Sequence, residues 1–137
     1  DALALARENV ERHDLGARVE LLHGAWWAPV AGRTFDVVVS NPPYVDPLRT
    51  DLIDPAVARY EPAAALFTPP GDPAAPYREI CAGLEAGLVP GGTVLLETGV
   101  EAAEPALAVL RAQPFLEAAR LEPDLAGLPR YLIARRA

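Results

Sequence analysis

Hydrophobic and polar positions along this chain follow two rhythms. From residue 2 to about 12 apolar positions recur at helical spacing, with Leu3, Ala6 and Val10 on one face, and Asp14-Leu15-Gly16 supplies a stop. Val19-Glu20-Leu21-Leu22 has the length and polar flanks of a short strand, and residues 24–34 read as a loop holding two tryptophans. The clearest strand is Phe35-Asp36-Val37-Val38-Val39-Ser40, β-branched and apolar on both faces at its centre, as buried parallel strands are. Asn41-Pro42-Pro43 ends it, because proline has no N–H to give to a sheet ladder. Residues 45–72 carry prolines at 47, 55, 62, 69 and 70 and can be only intermittently helical. So long a loop directly after this turn is a candidate substrate-facing lid. A helix over about 74–88, a Pro90-Gly91-Gly92 stop and a strand over 93–97 form a crossover unit. A helix over 101–113, a strand over 115–121 and a last strand over 131–134 complete the pattern.

Strands alternating with helices predict an α/β sheet, mostly parallel, with helices on both faces and ligands at the carboxyl ends of its strands. The 137 residues are 51% hydrophobic, the size and composition of a single domain. Twelve basic residues against 19 acidic ones leave a net charge of −7, which argues against a surface that tracks nucleic-acid phosphates. No apolar run approaches the roughly 20 residues that span a bilayer, so no membrane partner is expected. The lone Cys81 excludes an intramolecular disulfide and fits a reducing cytoplasm, where it reads as a small buried hydrophobe. His13 and His23 lack partners at ligand spacing, so no metal site is expected. The chain opens on Asp1 in what reads as the middle of a helix and contains no methionine, a pattern expected of part of a longer protein.

The most specific chemical signal is Asn41-Pro42-Pro43-Tyr44 closing an apolar strand. An amide or aromatic amine nitrogen is a poor nucleophile because its lone pair is delocalised. Alkylating it requires acceptors that hold its N–H bonds and let the nitrogen pyramidalise. Asn41 offers a side-chain carbonyl and Pro42 a backbone carbonyl, while the two prolines stiffen the turn and add no competing donors. Preorganised dipoles of this kind gain strength as positive charge develops on the attacked nitrogen. Tyr44 can pack its ring on a planar substrate group and align it. The plainer reading is a strand stop, since Asn-Pro initiates turns.

This tetrapeptide after its apolar strand resembles the signature of class I methyltransferases that act on nitrogens of planar systems. The resemblance narrows with Val45-Asp46, Arg59-Tyr60-Glu61-Pro62, Leu88-Val89-Pro90-Gly91-Gly92-Thr93, Leu96-Glu97 with Gly99, and Asp124-Leu125-Ala126-Gly127-Leu128-Pro129-Arg130. In order and spacing these are similar to the protein-(glutamine-N5) methyltransferases of peptide chain release factors, over nearly the whole chain. The resemblance implies the C-terminal part, residues 1–137, of one catalytic domain. Its sheet would be Rossmann-like, mostly parallel with an antiparallel last strand, and without its first strands here. It implies a cytoplasmic enzyme, S-adenosylmethionine as cofactor and a release factor as protein substrate. Asn41, Pro42 and Tyr44 would be catalytic, and Asn41, Pro42, Pro43 and Tyr44 would bind the glutamine amide. Asn41 would also touch the cofactor, and Trp26 would lie near its adenine. Trp26 and Trp27 could equally cover a hydrophobic edge. Arg59 and Glu61 would pair to order the long loop, or be surface charges of little consequence.

Three departures from the family stand out. Ala25 occupies the place of an aspartate that accepts from the adenine amino group, and Ala102 the place of a glutamine. The glycine-rich turn and the acidic residue that hold the cofactor belong to strands that would precede Asp1. The chain alone is therefore expected to bind cofactor weakly or not at all unless the rest is supplied, and to expose unpaired sheet edges. Two alternatives remain, an N-methyltransferase of adenine or guanine in RNA or DNA, and a catalytically inactive fragment or partner-binding remnant.

Overall fold

A computed structural model describes residues 2–137 and divides them into two compact units, one ending at Ala31 and the other running from Gly32 to Ala137. In the first, α1 spans Ala2–Arg12, and its half-buried positions are Leu3, Ala6 and Val10, the face expected from the periodicity. It ends where Asp14 enters the left-handed region at φ 52° and Leu15 N–H donates to the Val10 carbonyl at 2.9 Å. The strand expected at Val19–Leu22 is not formed. These residues run without regular structure, because an extended segment becomes a strand only by joining a sheet ladder, and the ladders among the described residues are formed by other segments. The loop that follows closes with a short 3₁₀ turn at Ala28–Val30.

The second unit is built on four strands, β1 (Phe35–Ser40), β2 (Leu88–Glu97), β3 (Leu116–Pro123) and β4 (Pro129–Arg136), in the order β1-β2-β4-β3. β1 and β2 are parallel, and β4 is antiparallel to both β2 and β3. Three strands therefore point one way and the last strand opposes them, as expected, and it lies between β2 and β3. β2 starts at Leu88, five residues earlier than the sequence suggests. Phe35 pairs with Leu88 and Val37 with Thr93, and the register shift between them absorbs the Pro90-Gly91-Gly92 stretch as an irregularity. Gly91 takes φ 78° there, a conformation that L side chains rarely adopt.

Between β1 and β2 lie a 3₁₀ segment at Pro47–Leu52, the short helices α2 (Pro55–Tyr60) and α3 (Ala63–Leu66), and α4 (Ala75–Gly87), so the proline-rich stretch is intermittently helical, as expected. α5 covers Val100–Arg111. α4 buries Tyr77, Ile80, Cys81 and Leu84, and α5 buries Ala103, Ala106, Leu107 and Leu110, each a stripe at three- and four-residue spacing. These stripes form the core with Val94, Leu96, Leu132 and Ala134 of the sheet. Burial raises the Cys81 thiol to about 11, so it is an inert core residue. In this unit the face carrying Val37 and Val39 stays open, with the two valines 53% and 73% exposed. α4 and α5 also pack on each other. Among the described residues no helix is long and apolar enough to cross a membrane.

Candidate functional site

The carboxyl end of β1 opens onto a cavity of about 920 Å³, at the upper end of the range for small-molecule sites. Asn41, Pro42 and Tyr44 line it; Pro43 lies between them in the chain but does not line the cavity. Pro42 is buried and Asn41 exposed, so a rigid ring anchors the turn while the amide side chain remains accessible. Two further walls complete the cavity. One comes from Gly99, Val100 and Glu101, where β2 passes into α5, together with Arg130 at the start of β4. The other comes from the proline-rich segment, including Asp46, Arg49, Asp54 and Glu61.

The sheet-side wall is a connected set of hydrogen bonds. The Tyr44 hydroxyl donates to Glu97 Oε1 at 3.3 Å, and the fully buried Tyr77 donates to the Glu97 carbonyl at 3.0 Å. Desolvation first, and then the Glu97 carboxylate, push the Tyr44 phenol above its ordinary value, and Tyr77 is raised to about 12, chiefly by burial. Both are neutral donors at physiological pH. Thr98 is held at both its backbone groups by Arg130, whose carbonyl accepts from Thr98 N–H at 2.9 Å and whose Nη1 donates to the Thr98 carbonyl at 3.4 Å. Arg130 Nε in turn reaches Asp124 Oδ2 at 3.4 Å. Asp124 closes the β3–β4 turn by accepting from Ala126 and Leu128 N–H at 2.9 and 3.0 Å. Those backbone bonds, that to Leu128 first, hold its carboxyl below the usual range. The Asp-x-Ala-Gly-x-x-Arg element is thus a turn whose last residue is delivered to the cavity wall, with Gly127 at φ 81° making the reversal.

The proline-rich wall is held differently. Its ends are pinned where Val45 N–H donates to the Leu66 carbonyl at 3.0 Å and Thr68 N–H to the Val45 carbonyl at 2.9 Å. Asp46 accepts from Leu48 N–H and Gly71 N–H, and Asp54 caps α2 through Ala56 N–H at 2.8 Å. The expected Arg59–Glu61 pair is not the contact seen. Arg59 instead lies over the Tyr60 ring at 5.4 Å, while Glu61 is the extended residue that follows α2 and leaves the helix surface. The ion pair that ties this wall to α5 is Arg49–Glu101, at 2.9 Å. Sequence reasoning did not find it, since the two residues lie far apart in the chain and neither belongs to a motif.

Four carboxylates line the cavity (Asp46, Asp54, Glu61 and Glu101) against two guanidiniums (Arg49 and Arg130). Such a lining suits a neutral polar group better than a phosphate. Trp26 belongs to the first unit, where it sits at φ 48° with 45% of its surface exposed, beside the half-buried Trp27. Among the described residues no cluster of three or more His, Cys, Asp and Glu is placed to hold a metal ion.

No protein-family model matches the chain. Curated relatives do. Release factor glutamine methyltransferase of Caulobacter vibrioides is 41% identical over 82% of the chain and 38% of its own length. The proteins of the same name from Prochlorococcus marinus and Agrobacterium fabrum are each 38% identical over 99% of the chain and 46% of their own lengths. The chain thus spans somewhat less than half the length of the curated relatives it matches. In fold it is similar to the crystal structure of TrmN from Thermus thermophilus, with a TM-score of 0.57 and 24% identity over 98% of this chain and 33% of that one.

Proposed function

We propose that this chain, a homologue of the release factor glutamine methyltransferases, is the catalytic portion of an enzyme that methylates the side-chain amide nitrogen of a release-factor glutamine. The observation that carries the reading is the placement of Asn41, Pro42 and Tyr44 together at the carboxyl end of β1, facing one cavity with an acidic lining. The curated names of the relatives support the substrate. The excess of carboxylates weighs against a nucleic-acid substrate, whose phosphates those groups would repel.

Asn41 Oδ1 and the Pro42 carbonyl accept the two N–H bonds of the glutamine amide, and neither proline contributes a donor that would compete. Held there, the nitrogen pyramidalises and its lone pair leaves the amide system. The Tyr44 ring packs on the amide plane and keeps the nitrogen in line for attack. S-adenosylmethionine, when bound, supplies the electrophilic methyl group. As positive charge develops on nitrogen, the two fixed carbonyl dipoles stabilise it. The methylated nitrogen then loses its extra proton to solvent, so no side chain of the cavity need act as base. The donor set of the cavity suits such a cofactor at Asn41, which carries both acceptor and donor atoms on an exposed side chain. Ala25 supplies no side-chain acceptor for an adenine amino group.

The test is methyl transfer from labelled S-adenosylmethionine to purified release factor by the full-length protein and by its Asn41→Ala form. The expected outcome is label on one glutamine, with turnover reduced about 10²- to 10³-fold by the substitution, the loss typical of removing one preorganised polar partner. Label appearing on RNA or DNA and not on the release factor would sink the reading.

A further inference from the structure

We propose that Gly99 and Arg130 are positioning residues that set the plane of the Tyr44 ring, Gly99 by leaving the ring the space a side chain would fill and Arg130 by fixing the Thr98–Gly99 turn beneath it. The inference rests on the function proposed above and names residues to which that function had not assigned a role. Gly99 sits at φ −86° and ψ 161°, ordinary extended backbone that any residue adopts. Its glycine is therefore not required by conformation. It is required by contact, because a Cβ built there would lie 2.8 Å from Tyr44 Cδ2 and 3.1 Å from Cε2. Ring carbons cannot yield as the end of a flexible chain can, and this ring is tethered at its far end by the hydroxyl hydrogen bond to Glu97.

The backbone against which the ring lies is itself fixed. Thr98 is buried and bonded to Arg130 through both its N–H and its carbonyl, and Arg130 is steadied by the carboxylate of Asp124. Arg130 and Glu97 both act on the Tyr44 phenol, with opposite electrostatic sign. A chain of contacts thus runs from the Asp124 turn through Arg130 and Thr98 to Gly99 and the Tyr44 ring. It gives the Asp-x-Ala-Gly-x-x-Arg and Glu-x-Gly elements, distant in sequence, one shared task. Small misplacements of an aligning group lower turnover while leaving the cofactor's own contacts intact.

The experiment is a double-mutant cycle in the full-length protein, with kcat and KM measured for wild type, Gly99→Ala, Tyr44→Ala and the double variant. Gly99→Ala is expected to lower kcat about 100-fold with KM for S-adenosylmethionine unchanged. In the Tyr44→Ala background it should add no further loss. Wild-type turnover in Gly99→Ala, or an equal loss in both backgrounds, would overturn the inference. A second readout needs no substrate. The Tyr44 ring signal in ¹³C-tyrosine NMR spectra, assigned with Tyr44→Phe, should shift in Gly99→Ala and also in Arg130→Lys, which keeps the charge and loses the fork. If wild type transfers no methyl to release factor, the functional reading fails, and the NMR result still decides the positioning: shifted signals uphold it, and unmoved signals in both variants reject it.

Discussion

The two walls that face each other across the cavity are built on opposite principles. The sheet-side wall takes its residues from strand ends and a helix start, where buried neighbours and converging hydrogen bonds leave each polar group one arrangement: Tyr77 on the Glu97 carbonyl, Arg130 on Thr98, Tyr44 on Glu97. The opposite wall is a run of short helices, six and four residues long, exposed along most of its length and tied down by Asx caps at Asp46 and Asp54. Isolated helices of that length have little stability of their own. The comparison teaches a difference in construction: the sheet-side wall is held by bonds between elements far apart in the chain, and the proline-rich wall by internal caps together with a few anchors at its ends and one ion pair to α5.

Matched deletions on the two sides test this difference. Tyr77→Phe removes the buried hydroxyl that donates to the part-buried Glu97 carbonyl and is expected to cost about 1–3 kcal/mol of global stability, read as a shifted urea midpoint with unchanged slope. Asp54→Ala removes a cap of α2 and is expected to cost about 1 kcal/mol locally. Its effect should appear as faster amide exchange confined to residues 54–60, with the global midpoint held. If Asp54→Ala moved the midpoint as far as Tyr77→Phe, the distinction between the walls would collapse.

Charge sharpens the same contrast. The Asp124 carboxyl is depressed in the folded protein, so its contribution is complete above the ordinary carboxylate value of about 3.9 and is lost as pH falls through its lower folded value. Wild type should therefore exceed Asp124→Asn in stability at pH 7, and the gap should close below about pH 4. Urea melts at several pH values check this, and a gap that persisted at low pH would contradict it. The smallest effect belongs to Arg49, whose pair with Glu101 is half exposed on both sides. Arg49→Ala should leave the midpoint unchanged while raising KM for the release factor, and raised salt should reproduce that KM change in wild type.

Part of the cavity's lining was legible along the chain, because Asn41, Pro42 and Tyr44 belong to one local stretch in which a strand, its stop and its aromatic are consecutive. The helices were legible for a similar reason, their stripes being short-range patterns. What escaped was set by partners distant in sequence. Val19–Leu22 has the composition of a strand, but pairing decides whether a strand forms. Pro90-Gly91-Gly92 reads as a stop and instead lies within β2, because the register shift opposite Phe35–Val37 accommodates it. Arg59 and Glu61, close in sequence, point to different surroundings, whereas Arg49 and Glu101, far apart, meet. Gly99 was visible as a motif residue, but its reason, the flank of the Tyr44 ring, lies 55 positions upstream.

The open face of β1 has a consequence for how the chain behaves in solution. Among the described residues β1 ends its sheet, and a sheet edge with unpaired backbone groups beside an apolar surface such as that of Val37 and Val39 is the combination that templates pairing with another copy. The net charge of −7 keeps copies apart by mutual repulsion, and dissolved salt screens that repulsion without weakening the attraction between valines. Along β1 the attraction between exposed valines and the repulsion between like charges therefore oppose one another, and added salt weakens only the second.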